Sequence, residues 1–173
     1  MEDTMEELYK KSIEVLNERG VTLKDIAELV KKLQQPYNPD INLEECLENV
    51  DHVLKKREVA HAILTGVAID QLAERKELPE PIQSVIDTDE GLYGIDEILP
   101  LSIVNLYGTI GLTSYGYLDK AKSGIIKELD TKKDGKVNTF LDDLVAGIAA
   151  AAASRYAHGE GSWSEDENWF KWY

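Results

Sequence analysis

Two aspartates stand side by side at Asp142 and Asp143, where a turn rich in charge and glycine runs into the most apolar stretch of the chain, Leu144 to Ala153. Two more acidic places lie beside apolar sequence. Asp96 and Glu97 precede Ile98, Leu99, Leu101, Ile103 and Val104, and Asp119 has Lys122 three residues on. Carboxylate oxygens are ligands for a hard divalent cation, and a cation held that way can neutralise a phosphate while a positioned water attacks it. Other chemistries lack their residues. There is no Walker loop, no Gly-x-Ser-x-Gly elbow and no zinc pattern of cysteines and histidines.

Plainer readings exist for each acid. A carboxylate in a first helical turn complements the helix dipole by about 0.3–1 kcal/mol. Asp119 and Lys122, at i and i+3, are in position for a surface ion pair of small energetic value. Yet adjacent helical positions point about 100° apart. If one of Asp142 and Asp143 faces solvent, the other lies against the apolar body, where a carboxylate needs a partner or a cation. The segment Asp130-Thr-Lys-Lys-Asp-Gly-Lys-Val-Asn138 imitates a calcium loop. However, Lys132 stands at its third position and Leu141 at its twelfth, where oxygen ligands are required, so it reads as a polar connection between helices. His61 reads as an interior or boundary histidine rather than a ligand.

The elements that must place these acids read as helices. Apolar residues recur at helical spacing over 2–18 and from Thr22 to Leu33, with Gly20 closing the first. Thr22 with Asp25 and Asn42 with Glu45 are capping pairs. Helical pattern then runs from Asn42 to about Leu78 without a proline, with a break expected near 50–56. Pro79 and Pro81 mark a boundary before a short helix over 81–87. An apolar helix follows over 95–106, with Pro100 expected to kink it and Gly108 and Gly111 to break it. Helices over 113–130 and from Asn138 to about Tyr156 complete the series. No segment alternates convincingly with period two, so the fold expected is an all-α, single-domain bundle of about seven helices over residues 1–157. Residues 158–173 form an acidic tail with three tryptophans, suited to disorder or to docking on a groove or a second subunit.

Composition narrows the partners. A chain of 173 residues, 43% hydrophobic and 30% charged, has the makings of one folded domain. Its net charge of −14 argues against nucleic acid or an anionic bilayer as a simple electrostatic partner, and suits the gathering of divalent cations. Cys46 alone cannot form an internal disulfide. The acidic start is no signal peptide, and the longest apolar run is too short to span a membrane. The expected location is cytoplasmic, with at most peripheral membrane contact.

With these residues in view, the C-terminal half resembles the phosphatidylglycerophosphatase A family. Tyr117-Leu-Asp-Lys-Ala-Lys-Ser-Gly-Ile-Ile126 and Asp134-Gly-Lys-Val-Asn-Thr-Phe-Leu-Asp-Asp-Leu-Val-Ala-Gly147 are similar to its signature. Asp119 and Lys122 match an Asp-x-x-Lys-Pro element, Gly135 a glycine-rich turn, and Asp142, Asp143, Ala146 and Gly147 the Asp-Asp-x-x-Ala-Gly block. Ile95-Asp-Glu-Ile98 resembles the family's Asp-Glu motif, and Asp89 a preceding acidic position. The resemblance covers roughly residues 60–156. Ser123 replaces the proline, Asn138 a turn glycine, and Pro100 stands where glycine is usual. Because membrane members can span and this chain cannot, it looks like a soluble branch, related to proteins that carry a low-temperature-requirement name.

The resemblance implies a magnesium-dependent phosphomonoesterase that converts phosphatidylglycerophosphate to phosphatidylglycerol. It implies Asp96, Glu97, Asp142, Asp143 and Asp89 as metal ligands. Asp119 would be a ligand or orient the attacking water, and Lys122 would be a point charge on a phosphate oxygen. Two alternatives stay open: a phosphatase of a small soluble phosphate monoester, and a non-catalytic helical scaffold. A homo-oligomer is expected. The small-residue face Ala146, Gly147 and Ala149–Ala153 would serve either core packing or self-association.

Overall fold

In the computed structural model, residues 4–131 and 134–159 are described, and among them all regular structure is helical. The helices are α1 (Met5–Glu18), α2 (Leu23–Gln34), α3 (Leu43–Leu54), α4 (Arg57–Glu74), α5 (Ile82–Asp87), α6 (Ile98–Val104), α7 (Gly108–Ala121), α8 (Ile125–Thr131) and α9 (Leu141–His158). One 3-10 turn at Asn105–Tyr107 joins α6 to α7. The tail expected over 158–173 lies outside the described residues, apart from His158, which ends α9, and Gly159.

The first three helices begin as their sequences dictate. Thr4 with Glu7, Thr22 with Asp25, and Asn42 with Glu45 each form a reciprocal capping box. The break expected near 50–56 falls between Leu54 and Arg57. The helix expected over 113–130 is two helices, and α7 begins earlier, at Gly108. Lys122 takes a left-handed conformation (φ 40°, ψ 63°) and Gly124 follows at φ 59°, which ends α7 and turns the chain into α8. Nothing in the apolar pattern marks this break. Pro100 lies in the first turn of α6, where a missing N–H costs no intrahelical bond, so the helix accommodates it at its start. His61 is exposed on α4 rather than interior.

Helix α9 is the axis of the bundle. Every residue from Leu141 to Ser154 is buried, and α2, α3, α4, α6, α7 and α8 all pack on it. A helix apolar on all sides belongs at the centre of a core. Its alanines keep its radius small enough for neighbours to close in around it. Ala149 to Ala153 are fully buried within one chain, so the small-residue face serves core packing and is not available for self-association.

Gly147 brings α6 to α9. A Cβ at this position would lie 3.0 Å from Pro100 Cβ and 3.2 Å from its Cα, so α6 would have to give by a few tenths of an ångström to admit it, and further for a branched side chain. Gly147→Val is therefore expected to destabilise the fold by about 2 kcal/mol, as overpacked cores do. For a chain of this size that is roughly 4–8 °C in the thermal midpoint. An unchanged midpoint would mean that α6 and α9 part without cost.

Candidate active site

The start of α9 is unusual because its own sequence does not cap it. The N-cap residue is Phe140, a core side chain without a capping hydrogen bond. The cap comes from another helix. Asp70, fully buried on α4, accepts from Phe140 N–H at 3.0 and 3.3 Å and from Leu141 N–H at 3.0 Å. Asp142 N–H donates to Asn138 O at 3.1 Å, and Asp143 N–H to Asp142 Oδ1 at 2.9 Å. All four leading amides are thus satisfied from within the protein, leaving none for a ligand anion.

The preceding loop is anchored as firmly. Arg19 of α1, itself buried, pairs with Glu74 of α4 at 2.7 Å and donates to Val137 O at 2.5 Å and Asn138 Oδ1 at 2.7 Å. Glu74 accepts from Val137 N–H at 2.8 Å, and Thr139 Oγ1 donates to Ile86 O at 2.6 Å. Asp70 and Arg19 drew no functional assignment from the sequence. An acid on an apolar helix face is the one signal that pointed at Asp70. Burial pushes its carboxyl up to about 8, against the pull of the Phe140 and Leu141 donors and of Arg19.

Asp142 and Asp143 project from this clamped start, and neither faces solvent. They are 3% and 4% exposed, so both of them, and not just one, lie against the body of the protein. The left-handed turn at Lys122 swings its ammonium inward to meet them. Nζ lies 2.7 Å from Asp142 Oδ2 and 3.7 Å from Asp143 Oδ1. It is also 3.4 Å from Asp119 Oδ1 and 3.9 Å from Asp130 Oδ1. The Asp119–Lys122 pair, half-buried, is therefore part of a larger charge cluster that reaches the buried Asp142 and Asp143 rather than an isolated surface bridge. Asp130, which the sequence offered only within the false calcium loop, joins it through the turn between α7 and α8.

The other expected ligands border the same centre. Asp96 is buried, with Oδ1 accepting from Glu97 N–H at 3.1 Å, whereas Glu97 and Asp89 are exposed. Burial raises the Asp96 carboxyl, and Asp89 and Glu97 add to the rise. Asp142 lies within electrostatic reach of Asp89, and Asp143 of Asp119 and Asp96. The seven positions drawn from the sequence thus share one neighbourhood. Among the described residues, however, no three acidic, histidine or cysteine side chains already form a cation cage. The Lys122 ammonium sits among the aspartates instead.

The electrostatics show strain in this arrangement. Burial, opposed by Lys122, moves Asp142 up to about 6. Burial and then the adjacent Asp142 move Asp143 up to about 9. Burial alone would lower the Lys122 ammonium, but the aspartates outweigh it and its affinity for its proton rises. One lysine does not satisfy the set. Asp143 Oδ1 is buried without a hydrogen-bond partner, and so is the hydroxyl of Tyr115, whose electrostatic neighbours are Asp143, Asp119, Glu97 and Asp142. Two orphaned buried oxygens among carboxylates are what a hard, oxygen-seeking cation or its water would complete. The residues present therefore fit a divalent cation.

A cleft of about 740 Å³ opens beside the cluster. Asp89, Asp130, Asn138, Thr139 and Asp142 line it, with Lys76 and Lys136 among its cations; Leu129 and Val137 are its apolar members.

Fold and site together define an all-helical protein whose buried central helix opens on a carboxylate–lysine centre. The chain belongs to the phosphatidylglycerophosphatase A family, whose model matches residues 22–158. That match starts earlier than the resemblance over 60–156 and takes in α2 and α3, which pack on α9. The uncharacterized protein YpjQ of Bacillus subtilis (strain 168) is 60% identical over 164 residues, covering 95% of this chain and 92% of that one. The uncharacterized protein YutG of the same organism is 57% identical over 143 residues, covering 83% and 86%. The crystal structure of Bacillus subtilis ypjQ superposes with a TM-score of 0.88 at 62% identity, over 90% of this chain and 96% of that chain. The low temperature requirement C protein of Listeria monocytogenes gives a TM-score of 0.85 at 58% identity, over 87% and 95%. Among the described residues, no helix is long and apolar enough to cross a membrane.

Proposed function

We propose that this protein is a magnesium-dependent phosphomonoesterase that releases phosphate from phosphatidylglycerophosphate to leave phosphatidylglycerol. The observation that carries the reading is the buried pair Asp142 and Asp143, short of countercharge beside Lys122, with Asp142 on the wall of a polar cleft. Family membership supplies the substrate class.

Asp142 and Asp143 would hold Mg²⁺, with Asp96, Glu97 and Asp89 within electrostatic reach as further ligands or as ligands to its water. When bound, Mg²⁺ would neutralise phosphate charge and make a bound water more acidic. The chain's own groups do the rest. Lys122, relieved of part of its ion pairing, turns its ammonium to a phosphate oxygen as a compact point charge. Asp119 accepts a hydrogen bond from the attacking water and fixes its direction. Because the leading amides of α9 are already engaged, the phosphate rests on cationic groups and not on a helix terminus. The water oxygen forms the new bond to phosphorus as the bond to the alcohol oxygen breaks; one water proton stays with the phosphate and the other ends on the departing alcohol oxygen.

The mostly polar lining of the cleft favours a second reading, a small soluble phosphate monoester. It offers a headgroup more polar than apolar surface, with Leu129 and Val137 as its apolar side chains. One assay separates the two: phosphate release with and without Mg²⁺ from phosphatidylglycerophosphate in mixed micelles, and from a panel of soluble monoesters. Metal-dependent release from the lipid is the expected result. Release from soluble esters alone would replace the lipid, and no release from either would move the protein to the non-catalytic scaffold.

A further inference from the structure

We infer that Asp70 is a positioning residue for this centre, setting cation affinity through the start of α9 without touching the cation. The inference rests on the proposed metal site and goes beyond it, because Asp70 belongs to no element of the family signature and lies on a different helix.

The argument is one of donor bookkeeping. A buried helix start must find acceptors for its first N–H groups. Ordinarily a Ser, Thr, Asp or Asn at the N-cap supplies one. Here that position is Phe140, whose ring is committed to the core. The carboxylate of Asp70 arrives from α4 and takes both Phe140 N–H and Leu141 N–H. These amides are the two immediately before Asp142. Their position fixes the rotation of the first turn of α9, and so the directions in which Asp142 and Asp143 leave the helix. A turn rotated by a few tens of degrees would carry a carboxylate oxygen by an ångström or more, enough to spoil a ligand set.

The opposite side of the loop is held in the same manner. Arg19 binds Val137 O and Asn138 Oδ1 while pairing with Glu74, and Glu74 takes Val137 N–H. Backbone groups at 137, 140 and 141 and the Asn138 side chain are thus tied to α1 and α4. Among the described residues, Asp70 is the one side chain that accepts from the N–H groups directly before the aspartate pair. Both of its side-chain oxygens accept, Oδ1 from Phe140 N–H and Oδ2 from Leu141 N–H: an asparagine in its place would accept at one atom and turn an N–H₂ toward a backbone N–H.

The test is Mg²⁺ binding to Asp70→Asn by titration calorimetry, well below the unfolding midpoint, with wild type and Val15→Ala beside it. Val15 is buried on α1, and its truncation lowers stability without touching the loop. The expected result is Mg²⁺ affinity weakened about tenfold or more in Asp70→Asn and unchanged in Val15→Ala, with both variants as helical as wild type by circular dichroism. Wild-type affinity in a folded Asp70→Asn overturns the inference, whatever its thermal midpoint. If Asp70→Asn does not fold, Asp70→Glu takes its place. It keeps two oxygen acceptors but displaces them by a methylene from Phe140 and Leu141 N–H, and unchanged affinity there overturns the inference equally. A wild type that binds no Mg²⁺ overturns both this inference and the metal site it rests on, whereas binding by wild type and equal binding by the variant overturns this inference alone.

Discussion

Asp142→Ala is expected to reduce Mg²⁺-dependent phosphate release on the order of a thousandfold while leaving the fold in place. The substitution removes the carboxylate that lies closest to Lys122, 2.7 Å from its ammonium, and half of the pair that would hold the cation. Charge stabilisation by a bound cation is worth several kcal/mol. A loss of about 4 kcal/mol corresponds to roughly three decades in rate. The fold should survive because Asp142 is a cost to the metal-free protein. It is buried next to a second acid, and burial raises its carboxyl well above the ordinary range. Activity of Asp142→Ala within about tenfold of wild type would remove the aspartate pair from the mechanism. Circular dichroism and thermal midpoint, run on the same preparation, separate lost chemistry from lost structure.

The second large effect is in the pH dependence of metal binding. Asp142 and Asp143 are raised to about 6 and about 9, so between those values the pair retains a proton in the metal-free protein. Mg²⁺ requires the carboxylates deprotonated, so binding must expel that proton. Apparent affinity should therefore rise about tenfold per pH unit between about 6 and 9, and more steeply below 6, where a second proton is held. Calorimetry at pH 7 in two buffers of different ionisation enthalpy should detect about one proton released per cation. Affinity that is flat from pH 6 to 8 would contradict the site.

Stability carries the same sign. Both aspartates have higher pKa values folded than the value of about 3.9 they have unfolded. The folded protein binds more protons than the unfolded chain above that value, so these two groups withdraw stability as pH rises from about 4 through about 9. Bound Mg²⁺ cancels the withdrawal. The rise in thermal midpoint on adding Mg²⁺ should grow from pH 6 to pH 8, and Asp143→Asn should lose most of that growth.

Much of this centre was legible in the chain. The paired aspartates, Asp119 with Lys122, Asp96 with Glu97 and the helical nature of every described element followed from local pattern. An apolar stripe, a capping residue or a short motif acts over a few positions, and a sequence displays such relations directly. The central place of α9 also followed, because a helix apolar on every side has to be enclosed.

What required the tertiary structure was everything that acts between distant positions. Asp70 caps a helix start 70 residues away, a pairing for which no local rule exists. Arg19, just past the end of α1, is buried by contacts with the loop before α9, more than 100 residues away in the chain. Asp130 resembled part of a calcium loop until the left-handed turn at Lys122 brought it to within 3.9 Å of the ammonium. That turn was itself hidden, since the electrostatic attraction of Asp142 and Asp143 on another helix is among the forces that favour it. The burial of both aspartates follows the same logic. Periodicity reports which way side chains point from one helix, while burial depends on how many helices surround it. The local sequence thus determined the elements and the kinds of chemistry they carry. The packing of α4, α6, α7 and α8 around α9 decided which charges meet, and therefore which of them need a cation.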